Sequence, residues 1–281
     1  TSLMRRALFI LMLLIAGPMC SAVPELADTT APPEPGLVRY ELSWRLGERA
    51  TRSDSGTLTF QTDRGYTVEL LSGYLIFSSV QLVECPEETA TRPAPLWRAL
   101  ALLGGVARAG HGAELNPVAI EGEVVEDLLA LERRVLGSRE LTGERYCSAH
   151  YLSAALRPWS DIAEDNPERI ETTLAVTFRW KKAGGETAEV TATTKEAYGI
   201  LGDLHDTPEG WDGKTGGAEL SSAGQGATVV VERDISPLFD GIDFEVLAPD
   251  KIAFAALGNV VKNARLLTTT TQPPPDSRRP R

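Results

Sequence analysis

The sequence predicts a mainly β fold, an antiparallel β-sandwich of the Ig-like or jelly-roll-like kind with one C-terminal helix. Val38, Tyr40, Leu42, Trp44 and Leu46 alternate with Arg39, Glu41, Ser43 and Arg45, the two-residue period of a strand with one buried face. Ile170, Thr172, Leu174, Val176, Phe178 and Trp180 alternate in the same way. Ala183-Gly184-Gly185 then supplies turn residues and Ala188, Val190 and Ala192 return, the pattern of a hairpin. Helical spacing enters only late, where Ile252, Ala255, Ala256, Val260, Ala264 and Leu267 follow Ala248-Pro249-Asp250, with proline near the first turn. Many short strands followed by one helix point to a sandwich or barrel.

In chain order, residues 1–22 carry the marks of a signal peptide. Arg5 and Arg6 follow Met4, the apolar run Ala7 to Ala16 is too short to span a bilayer, and Cys20-Ser21-Ala22 offers a small-residue cleavage site. Export to the periplasm, the cell envelope or the medium is expected, with no membrane span after cleavage. Residues 23–36 are rich in proline and acid and read as an extended linker. Residues 37–267 should hold the sandwich domain. Leu58 and Phe60 mark a second strand, and Tyr66, Val68 and Leu70 a third. Tyr74 to Val83 is apolar on both faces, as a strand central to a sheet is. Prolines and glycines interrupt the stretch from Pro86 to Asn116, where Leu96 to Val106 could make one short helix. Pairing resumes at Val118 to Ile120, Leu131 to Leu141 and Arg145 to Leu152. A second excursion, Gly199 to Gly226, has the composition of a surface loop, and Thr228 to Ile235 is a further strand. Residues 268–281, without apolar content, read as a disordered tail.

The formal charge is -11, or -13 without Arg5 and Arg6, which argues against nucleic acid and anionic membrane surfaces as partners and favours cations. Apolar residues make up 42% of the chain, enough for a sizeable core. Of the three cysteines, Cys20 belongs to the signal, leaving Cys85 and Cys147 in a compartment where disulfides persist. They are expected to pair. The rival reading, two soft metal ligands, lacks a nearby CxxC or CxH spacing.

Catalytic signatures are weak. Phe239-Asp240-Gly241-Ile242-Asp243-Phe244-Glu245 resembles the start of the DGxDxDxE signature of chitinase-type glycoside hydrolases, but Glu245 stands where Asp is required and Leu247 where the proton-donating acid must sit. A polar turn entering the helix is the plainer reading. The three histidines come with no GxSxG, and there is no GxGxxG or P-loop, so the chain is read as no enzyme. What remains is a metal site. Imidazole suits copper and zinc, so His111 and His205, in the two excursions, are the candidate ligands, with Asp203 and Asp206 flanking His205 and Trp211 nearby. His150, three residues after Cys147 on a strand, faces the other way from that cysteine.

Thr57-Leu58-Thr59-Phe60-Gln61-Thr62-Asp63-Arg64-Gly65-Tyr66-Thr67-Val68, with Leu70-Leu71-Ser72-Gly73-Tyr74-Leu75-Ile76 and Val80-Gln81-Leu82-Val83-Glu84-Cys85, resembles the core of exported MbnP-like proteins. Phe239-Asp240-Gly241-Ile242-Asp243-Phe244 and the helix with Asn259 and Asn263 are similar to that family's C-terminal part. The likeness is carried by strand pattern more than by ligands. It implies an extracytoplasmic β-sandwich that binds copper and is often partnered by a dihaem peroxidase-like protein. Having two cysteines past the signal and three histidines in all departs from the family. The expected function is therefore a non-catalytic exported binding protein for copper or another metal; the alternative is a metal-free structural or adhesion module of the cell envelope.

Overall fold

The structure is a computed structural model that describes residues 33–85, 116–142, 145–206, 219–221 and 226–271. They belong to one compact unit that starts at Pro32. The chain is mainly β, with a single α-helix near its C-terminal end among these residues. The strands are β1 (Leu37–Arg45), β2 (Ala50–Arg52), β3 (Leu58–Gln61), β4 (Tyr66–Glu84), β5 (Ile120–Asp127), β6 (Arg134–Glu140), β7 (Arg145–Ser153), β8 (Leu174–Lys182), β9 (Ala188–Thr194), β10 (Tyr198–Asp206), β11 (Leu220–Ser221), β12 (Gly226–Asp234) and β13 (Arg265–Thr271). The helix α1 is Pro249–Val261. The strands join in one hydrogen-bonded sheet whose longest path runs β2-β3-β4-β7-β10-β13-β12-β1-β6.

β4 organises half of this sheet. The sequence reads as two strands either side of Ser72-Gly73, yet the chain passes straight through as one strand of 19 residues. Gly73 permits this because a Cβ there would meet Ala175 O and Val176 Cγ1 at 3.2 Å. A register shift between Leu70 and Ser72 absorbs the irregularity. Leu75 pairs with Leu174 and with Glu126, and Phe77 with Ser153 and with Val124, so β8 and β7 lie along one side of β4 and β5 along the other. The Tyr74 to Val83 stretch is thus flanked on both sides, as its apolar composition predicts.

Pairing is antiparallel with two exceptions that depart from the expected pattern. β1 lies parallel to β12 from Val38↔Ala227 to Arg45↔Asp234, and β10 lies parallel to β13. Parallel neighbours need a long crossover, and here most of the domain separates β1 from β12. Three further corrections follow from the same region. Gly199 to Asp206 is strand rather than loop: Gly199 and Gly202 sit where a Cβ would meet Tyr151 O and Leu266 Cδ1 at 3.0 Å, so these glycines mark close approach and not a turn. The helix stops at Val261, leaving Ala264 in a turn and Leu267 in β13. The threonines from Thr268 to Thr271, expected in a disordered tail, complete β13 against Gly226 to Val229, where β-branched side chains suit a pleated surface.

The two halves of the sheet face each other across one core. Arg233 of β12 is fully buried and forms a two-pronged ion pair with Glu126 of β5, which is 2% exposed. Trp44 of β1 donates Nε1 to Glu126 at 3.1 Å and lies under the guanidinium at 4.1 Å, and Tyr151 of β7 accepts from Arg233 at 3.3 Å. Farther along, Phe60, Tyr66, Phe178, Trp180, Phe239 and Phe244 interlock, the closest rings 4.8 Å apart. No helix among the described residues is long and apolar enough to cross a membrane.

Candidate functional site

The chain leaves β12 through a tight turn in which Leu238 N bonds to Ile235 O and Asp240 N to Pro237 O. This delivers the acidic string 240–245 to the rim of the aromatic cluster. Each carboxylate there has a partner. Asp240 pairs with Arg49 at 3.0 Å, Asp243 with Arg64 at 3.1 Å, and Glu245 with Lys182 at 3.2 Å. Tyr66 donates its hydroxyl to Asp243 at 3.0 Å, and its phenol is pushed up to about 12 by burial and then by the Asp243 carboxylate. Asp63 and the 240–241 turn exchange bonds, Gly241 N to Asp63 Oδ1 at 2.7 Å and Asp63 N to Asp240 Oδ1 at 3.3 Å. The string fastens the β3–β4 hairpin to the turn. Leu247, where the glycosidase pattern needs its acid, is a partly exposed hydrocarbon.

Beside this knot lies a polar cleft of about 680 Å³. Three places in the chain supply it: Arg45 at the end of β1 with Gly47 and Arg49 in the turn that follows, Asp234 at the end of β12 with Ser236 and Asp240 beyond it, and Asn259, Lys262 and Asn263 at the end of α1. The parallel register brings the ends of β1 and β12 together, so Arg45 bonds Asp234 at 2.7 Å. Asn259 is 6% exposed and donates to Leu238 O at 3.3 Å and Asp240 O at 2.7 Å, while its own Oδ1 accepts from Lys262 at 2.8 Å. Burial lifts the Asp240 carboxyl above its ordinary range despite Arg49. Ser236 is 7% exposed, and its buried hydroxyl has no hydrogen-bond partner in the structure. Gly47 opposes it: a Cβ there would fall 2.6 Å from Ser236 Oγ and 2.7 Å from Asp234 Oδ2. Cations and carboxylates therefore line the cleft together with an unsatisfied hydroxyl, a set suited to a small solute with groups of both polarities.

The sequence singles out Asp240, Asn259 and Asn263 only within the glycosidase-like string and the family resemblance, and does not mark the cleft as a site. One signal was present, since Asn259 falls seven residues after Ile252, on the apolar stripe of the helix. His111, expected to ligate metal, and Trp211, expected as an adjacent aromatic, lie outside the described residues, as does the side chain of Asp206. Asp203 and His205 are on β10, two residues apart and so on one face. Asp203 is exposed and accepts from Ser148 at 3.3 Å, and His205 is half-buried. They lie on a strand and not in a loop, and among the described residues they join no group of three close donors. His150, also half-buried, is depressed below its ordinary value by burial. Cys85 and Cys147 are disulfide-bonded across the end of β4 and the start of β7, Cα atoms 4.9 Å apart, as their being the last two cysteines predicts. No family model, curated protein or solved structure matches the chain.

Proposed function

We propose that this protein is an exported, non-catalytic binding module whose ligand seat is the cleft between the β1–β2 turn and the end of α1. The buried Ser236 hydroxyl carries the reading. Leaving such a group unpaired costs about 1–3 kcal/mol, and a ligand that supplies its partner recovers that cost. The cleft has neither histidine nor cysteine, and its two aspartates are held by arginines, which favours recognition over catalysis. The disulfide and the signal-like segment 1–22 support a compartment outside the reducing cytosol. The test is a thermal-shift panel of free amino acids, small sugars and dicarboxylates against wild type and Ser236→Val. A solute that raises Tm in wild type and not in Ser236→Val supports the seat; shifts equal in both proteins count against it.

Copper binding is the second reading, favoured by the shared face of Asp203 and His205. It rests on the resemblance to MbnP-like proteins, which also carries the idea of a dihaem peroxidase-like partner. Calorimetric titration of Cu(II) into wild type, His205→Ala and His111→Ala tests it. Identical isotherms would leave the cleft, or a metal-free envelope module, as the better account.

A further inference from the structure

Where β4 stops and β7 starts, three groups with metal-ligand chemistry converge. Cys85 Sγ, Cys147 Sγ and a Glu219 carboxylate oxygen all lie within 4.8 Å of one another, the one such group of three among the described residues. Backbone pairing holds the three neighbourhoods together: Cys85 N donates to Arg145 O at 2.9 Å, and Leu220 and Ser221, next to Glu219, pair with Tyr146 and Arg145, next to Cys147. In the oxidised chain each sulfur is committed to the other. Reduction by a dithiol transfers two electrons and two protons to the disulfide, leaving two thiols and an oxidised dithiol. A divalent cation that then binds displaces both thiol protons and is held by two thiolates and one carboxylate.

We propose that Cys85, Cys147 and Glu219 form a redox-gated site for a thiophilic divalent cation of the zinc class, closed while the disulfide stands and opened by dithiol reduction. Tetrahedral ligands at about 2.3 Å for sulfur and 2.0 Å for oxygen stand about 3.3–3.8 Å from one another. The three donor atoms, within 4.8 Å of one another, would draw in to that spacing by side-chain rotation once the sulfurs separate, with the fourth position left to water. Glu219 is exposed and both cysteines are half-buried, so a cation has access. Arg145 is the competitor. Its Nε and a terminal nitrogen bond the two Glu219 oxygens at 2.5 and 2.7 Å, keeping the carboxylate ionised and aimed while occupying the lone pairs a metal would use.

Cd(II) titrated into the full chain tests this, read by thiolate-to-metal charge-transfer absorption before and after reduction with dithiothreitol and its anaerobic removal. One equivalent should bind only after reduction. Glu219→Gln should weaken binding by at least the roughly 10–100-fold that losing a partner behind a metal ligand costs. Arg145→Gln should tighten it, because the competing guanidinium is gone. Equal binding by oxidised and reduced chains, or by Glu219→Gln and wild type, overturns the proposal. Should reduction unfold the chain, Cd(II) should restore the β-sheet circular dichroism of wild type but not of Glu219→Gln. A wild type that stays unfolded with Cd(II) overturns it equally.

Discussion

Arg233 is fully buried, and a cation in that position persists only because its surroundings were built for it. Glu126 meets both its terminal nitrogens, and the Trp44 ring covers one face. Removing one partner strands the other charge in the core, so Glu126→Leu or Arg233→Met alone should cost about 3–5 kcal/mol. The double variant should recover much of that loss, because an apolar pair of similar volume leaves no orphaned charge. Urea unfolding of the four proteins measures the coupling, and additive losses would show that the pair does not act as a unit. Titrating residues make a second prediction. Burial would push Glu123 up, but the Arg157 guanidinium and Ser160 hydroxyl outweigh it and hold the carboxyl below its ordinary 4.5. Its contribution is present above that value and lost as pH falls through the folded one. His150, depressed by burial below its ordinary 6.5, acts in the same sense, while Asp240, raised by burial, favours the folded chain as pH falls. Tm should therefore drop as pH falls below 6.5, where His150 titrates in the unfolded chain, and again below 4.5, and Glu123→Gln should flatten the second drop. An unchanged slope in Glu123→Gln would assign the acid sensitivity elsewhere.

Elements meet at the cleft through one helix and one turn, and Asn259 is their fastener. Asn259→Ala leaves Leu238 O and Asp240 O without that donor in a buried setting, which should cost about 1–3 kcal/mol. Gly47→Ala puts a methyl against Ser236 and Asp234 and should cost a comparable 1–3 kcal/mol or so by overpacking while narrowing the cleft. Chemical denaturation checks both, and a neutral Gly47→Ala would mean the β1–β2 turn yields without strain. The same region marks where sequence stops being legible. β1, the β8–β9 hairpin and the start of α1 were readable because their signals are local: alternation over nine residues in β1, turn glycines, a proline at a helix start. β10 was not, because Gly199, Gly202 and Asp203 imitate a loop. The two glycines are there because Tyr151 and Leu266 come close, a fact held by distant parts of the chain. β13 was missed because a threonine run reads as polar until a partner strand is known. The cleft was invisible for a related reason: residues near 47 and 236 carry no spacing signature and meet only through the parallel β1–β12 register, and Asn259 joins them through bonds to Leu238 O and Asp240 O.

At the scale of the molecule, the sheet is assembled from non-local pairings, and ordering them is the main entropic cost of folding it. β6 lies beside β1, and β5 beside β4, yet both β5 and β6 fall inside the segment between Cys85 and Cys147. The disulfide closes that segment, of 62 residues in sequence separation, at the edge where β4 and β7 already pair. Cross-linking a loop of that length removes unfolded-state freedom equivalent to about 4 kcal/mol in the chain-entropy model, with about 2–4 kcal/mol the usual yield. Cys85→Ala/Cys147→Ala should therefore unfold at lower urea, its free energy reduced by that amount. Its m-value should rise, since an uncrosslinked unfolded chain exposes more surface. Denatured, unreduced wild type should present neither Cys85 nor Cys147 to an alkylating reagent. Two alkylated thiols there, or a double variant as stable as wild type, would show that backbone pairing alone holds β5 and β6 in place.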